Sequence, residues 1–233
     1  MNFRHKGWRW PWAAVVAFGL FLGVYLPSFG LLYLLHLLTP VWIPLVMLLT
    51  VLAASLWAWA LSRARAPHAS AATYGLCWPA STGAAAVWVA LAVPVAGLVA
   101  LAGHFAPPEP GPLGGLHLPA ALLWLYFGAM APLQEEWIFR GLIQTQAQRA
   151  LGSYPDTDTD TAHSGAAIGA SLIVAILFGA IHLAIGPVTA AGALLLGLLA
   201  GEARRRSGSL LPAVAIHAVF NIIAGDLLAS MLR

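Results

Sequence analysis

Two adjacent glutamates, Glu135 and Glu136, interrupt a long apolar stretch in the segment EEWIFRG, and two histidines do the same further on, His182 in FGAIH and His217 in HAVFN. A carboxylate held away from water is a candidate general acid or base, and an imidazole near it can share a proton or donate to developing charge. Neighbouring residues on a helix point about 100° apart, so the two glutamates cannot share one task. Glu136 precedes Arg140 by four residues, the favoured order for a helical ion pair. Glu135 then remains on another face without a local partner. His217 and Asn221 are also four apart, and so are Phe178 and His182, where the ring can pack beside the imidazole. A structural reading stands beside each of these: glutamates that only bind arginine or another helix, histidines that only hydrogen-bond a neighbour.

Other polar groups carry less. Glu109, Asp156, Asp158 and Asp160 belong to loops, Glu202 adjoins an arginine run that would pair with it, and Asp226 is near the end of the last apolar run. The DTDTD repeat matches positions one, three and five of an EF-hand loop, but Thr161 replaces the required glycine and Ala167 the bidentate glutamate. His5, His68, His104, His117 and His163 fall in loops or at span ends, and His36 near the end of the first span.

Membrane helices must position the catalytic candidates. The 233-residue chain is 61% hydrophobic and 8% charged, against roughly 45–50% and about 25% in a soluble domain. So few charges cannot cover a water-soluble fold of this size. A single cysteine, Cys77, excludes a disulfide scaffold, and the apolar content excludes disorder. Apolar runs of 17 or more residues that do not alternate exclude a β-barrel and predict an all-α, polytopic transmembrane helical bundle.

Spans are expected over 12–38, 41–61, 81–101, 119–149, 167–185, 187–203 and 210–232, about seven within a range of six to eight. The first is too long for a cleavable signal and ends in no small-residue cleavage site. Pro27 bends it, the Gly186-Pro187 pair separates the fifth from the sixth, and the turn-rich PPEPGPLGG follows the third. Gly165-xxx-Gly169 and Gly197-xxx-Gly201 have the spacing that lets helices approach closely. With seven spans, Arg4, Lys6 and Arg9, Arg63 and Arg65, Arg149, and Arg204 to Arg206 share one side, which the positive-inside rule makes cytoplasmic together with the N-terminus. The net charge of +3 therefore reports topology and no nucleic-acid partner; the lipid bilayer is the partner. Abundant Ala, Gly, Pro and Arg fit a GC-rich genome, so a bacterial cytoplasmic membrane is the expected location.

Depth gives a further test. Glu135 lies fifteen residues before Ala150 and His182 fifteen after Ala167, which levels them in a hairpin. His217 is seven residues beyond Leu210, about 10 Å along a helix, and is level only if the hairpin projects past the bilayer, as the polar QTQAQR suggests.

Together, EEWIFRG, FGAIHL and GSLLPAVAIHAVFN resemble the EExxxR, FxxxH and HxxxN signatures of the CAAX-protease and bacteriocin-processing (CPBP, or Abi) family, in order and over about residues 132–223. The resemblance divides the single membrane domain into N-terminal transmembrane helices, 1–118, and a catalytic core, 119–233. It implies an intramembrane endopeptidase acting on a peptide or protein substrate at the membrane. By analogy Glu135 and His182 would hold and activate water, His217 and Asn221 would stabilise the oxyanion, and Glu136, Arg140 and Phe178 would support them. Cys77 lies in a loop with no matching His–Asn pair, so it does not compete as nucleophile.

Family members include both metalloproteases and glutamate-type enzymes. Glu135, His182 and His217 could supply three zinc ligands, but HExxH spacing is absent and a ligating Glu135 would leave the base unassigned; the metal-independent route, with no cofactor, is favoured and zinc stays open. Eukaryotic relatives trim prenylated CAAX tails, and bacterial ones are linked to peptide maturation, bacteriocin immunity and processing of surface-anchored proteins. Two other classes compete: a non-catalytic immunity or scaffold protein of the same fold, and a bis-histidine haem protein, which leaves Glu135, Glu136, Arg140 and Asn221 unexplained.

Overall fold

A computed structural model describes residues 9–38, 43–107, 119–152 and 165–225, and among these every regular element is a helix. Arg4, His5, Lys6, Glu109, His117, the aspartates 156–160, His163 and Asp226 lie outside the described residues. Helices α1 (Arg9–Leu38), α2 (Ile43–Arg65) and α3 (Thr82–Phe105) are followed by α4 (120–150), α5 (Gly165–Ile181), α6 (Pro187–Ser207) and α7 (Leu211–Ile223). Arg9–Ser28, Thr82–Phe105 and Gly165–Ala184 are each long and apolar enough to cross a membrane.

The packing is that of an integral membrane protein. Inward faces carry small residues at helical spacing: Ala13 and Ala17 on α1, Ala54 and Ala58 on α2, Ala85, Ala92 and Ala96 on α3. Large side chains point outward, among them Leu56, Trp59, Leu98 and Phe105. In water this would waste the apolar surface. In lipid, whose tails are as apolar as leucine, close approach of backbones is what joins helices, and small residues permit it.

Helices α5 and α6 form the tightest such pair, separated at Gly186-Pro187 with Pro187 in the first turn of α6. A Cβ on Gly179 would stand 2.9 Å from Leu194 Cβ and 3.2 Å from the Ala190 carbonyl, and one on Gly197 3.0 Å from Ala175 Cα. Of the two glycine pairs noted in the sequence, Gly197 and Gly201 serve this interface, Gly201 against Ser171. Gly169 instead receives the ring of Trp10 from α1, and Gly165 has open space beside it.

Helix α4 runs through residues 120–150, but two wider π-helical stretches, Tyr126–Met130 and Trp137–Ile143, flank the α-helical piece Ala131–Glu136. Such insertions change which side chains share a face.

The question of depth resolves through the loop between α2 and α3. Leu210 N–H donates to the Gly75 carbonyl at 2.9 Å, and the carbonyl of Tyr74 lies 3.4 Å from where a Cβ of Gly141 would stand. The start of α7 is therefore level with Gly141, and 142–150 continue past it. Counted from that level, His217 and the glutamates stand at similar height. The polar QTQAQR stretch continues beyond that level, packed against other helices: Gln144, Thr145 and Gln146 are buried, and Gln144 Nε2 donates to the Gly201 carbonyl at 3.4 Å. Two boundaries also differ: α5 gives way at His182–Ala184 to a single 3-10 turn, and the described part of α7 ends at Ile223, with 226–232 outside the described residues.

Substituting Gly179→Ala forces α5 and α6 apart at a backbone contact, an overpacking cost of about 1–3 kcal/mol. Thermal unfolding of the detergent-solubilised protein should show a clear drop for Gly179→Ala and none for Gly165→Ala; equal melting temperatures for the two would contradict the close approach.

Candidate active site

Glu135 and Glu136 end the α-helical piece of α4 that starts beside Pro132. At its first residue, Ala131 N–H donates to the Tyr126 carbonyl five residues back. The next donor in that register would be residue 132, a proline with no N–H. The Phe127 carbonyl thus lacks this donor, and Asn221 Nδ2 of α7 donates to it at 2.8 Å. A proline in one helix accordingly fixes a side-chain amide of another. The Asn221 amide keeps a second N–H.

One carboxylate oxygen ties three groups together. Glu136 Oε1 accepts from Arg140 Nη1 at 2.9 Å and from His217 Nδ1 at 2.7 Å, with Glu136 and Arg140 side chains fully buried. The ion pair read from the i,i+4 spacing is present, and the histidine on the same oxygen has no local sequence signal. With Nδ1 committed, His217 turns Nε2 toward Glu135, 3.9 Å from Oε2. The Glu135 side chain is 27% exposed where that of Glu136 is at 0%, so only the first can meet a substrate.

His182 occupies the 3-10 turn after α5, where Nδ1 lies 2.7 Å from the Phe178 carbonyl. A carbonyl only accepts, so the proton is on Nδ1 and, in the neutral ring, the Nε2 lone pair remains available. The Phe178 ring joins the parts: its centroid is 4.7 Å from that of His182 and 5.8 Å from that of His217, and Arg140 Cζ lies 4.6 Å from it. Phe139 meets the same ring edge-on at 4.8 Å. The sequence candidates thus gather at one junction of α4, α5 and α7, with Glu135 and His217 in direct proximity and His182 reached across Phe178. Phe139, and Tyr25 of α1 packed on it at 5.9 Å, are site neighbours the sequence did not single out, because an aromatic residue within an apolar run looks like any other.

Glu135, His182 and His217 are donor types that suit zinc. Their spacing does not form a ready donor set: among the described residues no three His, Cys, Asp or Glu side chains converge closely enough to hold a metal ion.

Residues 117–223 match the family of Rce1-like proteins, described as type II CAAX prenyl endopeptidase Rce1-like. This stretch carries all three motifs and agrees with the CPBP resemblance. No curated protein and no solved structure matches the chain.

The two glutamates should separate in stability. Glu136→Gln leaves the buried Arg140 without its counter-charge, and breaking a buried pair costs about 3–5 kcal/mol. Glu135→Gln, at a partly exposed position, should unfold within about 1 kcal/mol of wild type. Unfolding in detergent measures both; equal losses would contradict the division between them.

Proposed function

We propose that the protein is an intramembrane endopeptidase of glutamate type, with the catalytic core in 119–233 and Glu135, His182, His217 and Asn221 as its catalytic residues. The observation that carries this reading is the asymmetry of the adjacent glutamates. Glu136 is buried with Oε1 shared between Arg140 and His217, while Glu135 is accessible and faces His217 Nε2. Glu135 takes a proton from water as the oxygen attacks the scissile carbonyl carbon, and His182 Nε2 orients that water. The electron pair of the carbonyl moves to its oxygen. The oxyanion is met by His217 Nε2–H and the second N–H of Asn221. A His217 that is protonated on both nitrogens has Glu136 as acceptor at Nδ1, so the donor at Nε2 is held in place by the buried carboxylate. Collapse of the intermediate breaks the C–N bond, and Glu135 returns its proton to the leaving amine. Arg140, packed on Phe178, balances Glu136 throughout.

The substrate is a peptide or protein held at the membrane. We further read the fold as seven spans with a cytoplasmic N-terminus in a bacterial cytoplasmic membrane. Arginines at one end of the bundle support that orientation: Arg9 donates to the Leu151 carbonyl, Arg63 to that of Ala69 and Arg204 to that of Thr73.

Comparing peptide termini in membrane and secreted fractions of cells carrying wild type or Glu135→Gln, at matched protein abundance, tests the reading. New C-termini or released fragments found only with wild type are expected. Identical termini with an intact phenotype would establish a non-catalytic protein. The purified enzyme should also keep its activity after dialysis against a metal chelator, and loss restored by zinc would overturn the metal-free route.

A further inference from the structure

Away from the active-site junction, α3, α5 and α6 leave a cavity of about 270 Å³ between them, near the arginine run that ends α6. Trp88 of α3, Leu172 of α5 and Leu198 and Leu199 of α6 wall it, and Glu202 adds a carboxylate. None of the candidate catalytic residues lines it. Leu172 is also exposed on the outside of the bundle, so the cavity opens onto the surface that faces lipid. Sites for whole small molecules measure roughly 300–1,000 Å³. This one is smaller and suits a stretch of a single apolar chain.

The charges beside it do not cancel. Arg205 holds Glu202 from two nitrogens, Nε on Oε2 at 2.7 Å and Nη2 on Oε1. That bidentate pair sets one positive charge against one negative charge. Arg206 Nε also donates to Oε1, which makes Arg206 the surplus cation. Its guanidinium is held by both a carboxylate and a ring that line the cavity, with Cζ 5.6 Å from the centroid of Trp88. The Arg206 side chain is 50% exposed against 5% for Arg205, and among the described residues its two Nη groups have no hydrogen-bond partner. Arg204 is committed elsewhere, donating to the Thr73 carbonyl. A planar cation with a free donor edge, fixed beside an apolar cavity, complements a molecule with an anion at one end and a hydrocarbon chain at the other.

We propose that this cleft binds an anionic phospholipid of the leaflet at the arginine end of the bundle. The headgroup phosphate accepts from the Nη groups of Arg206. One acyl chain passes Trp88 toward Leu198 and Leu199, about one helical turn farther from the arginine run than Glu202. Trp88 then serves as tryptophans do at the level of lipid headgroups. A soluble anion would meet the same arginine but have nothing to place in the cavity. The site uses no residue of the proposed hydrolysis and stands or falls apart from it.

Native mass spectrometry of the detergent-solubilised protein, titrated with dioleoyl phosphatidylglycerol or dioleoyl phosphatidylcholine, tests the site. Phosphatidylglycerol should bind about tenfold more tightly than phosphatidylcholine with the same chains, and added inorganic phosphate should leave it bound. Arg206→Gln should erase that preference, a loss of about tenfold, the equivalent of one charge-assisted hydrogen bond. The lipid-free melting temperature should not move, because the side chain is at the surface. Leu172→Trp, which fills the cavity from its outer wall, should weaken both lipids while leaving melting intact. Equal affinity for the two lipids, or a preference that survives Arg206→Gln, would overturn the proposal. Displacement by inorganic phosphate would replace the lipid with a free anion, and undiminished binding in Leu172→Trp would remove the chain from the cavity; either result overturns it as well.

Discussion

Everything at the centre of this bundle depends on one buried carboxylate. Glu136 is cut off from water, and an ionised group there is tolerable only if its charge is opposed. Arg140 opposes the charge from the same helix, and His217 takes up the same oxygen from a helix 81 residues away in sequence. The arginine needs cover of its own, which Phe178 of α5 provides by lying against the guanidinium. A requirement of charge balance thus links α4, α5 and α7 and holds His217 with only its second nitrogen free. Accessible chemistry is left to Glu135, the neighbour that the buried pair does not use.

Helix geometry makes this division possible. A helix points successive side chains in different directions, so adjacent glutamates can serve a dry interior and an accessible cleft. The π-helical stretches on either side and the missing N–H of Pro132 shift the rest of α4 so that Asn221 finds the Phe127 carbonyl. Polar groups within the membrane have no water to fall back on, so each irregularity in one helix is answered by a side chain from another.

How much of this could be read in the sequence depends on how far apart the partners lie. The helices were legible because runs of apolar residues long enough to span lipid have few other readings. The Glu136–Arg140 pair was legible because four residues make one turn. The bond from Glu136 to His217 was not, since nothing local marks an acceptor 81 residues away. The π-helical stretches left no trace that periodicity could register. The partners of the QTQAQR stretch were not legible either, since Gln144 finds its acceptor 57 residues away on α6. Tyr25 was not legible as a site neighbour: within FLGVYLPSFG it reads as one more apolar position, and only the packing of α1 on Phe139 brings its ring there.

The hydrogen bond from Leu210 to Gly75 bears on how such a chain is assembled. A polypeptide made from its N-terminus folds its early segments first. The loop carrying Tyr74 and Gly75 is then in place before Leu210 is synthesised, and it meets Gly141 on one side and Leu210 on the other. It acts as a ledge on which the last helix comes to rest. The height of His217 beside the glutamates is thereby set by the order of synthesis as well as by the contacts of the finished fold, and a chain begun at the matched region would lack the stop against which its final helix is measured.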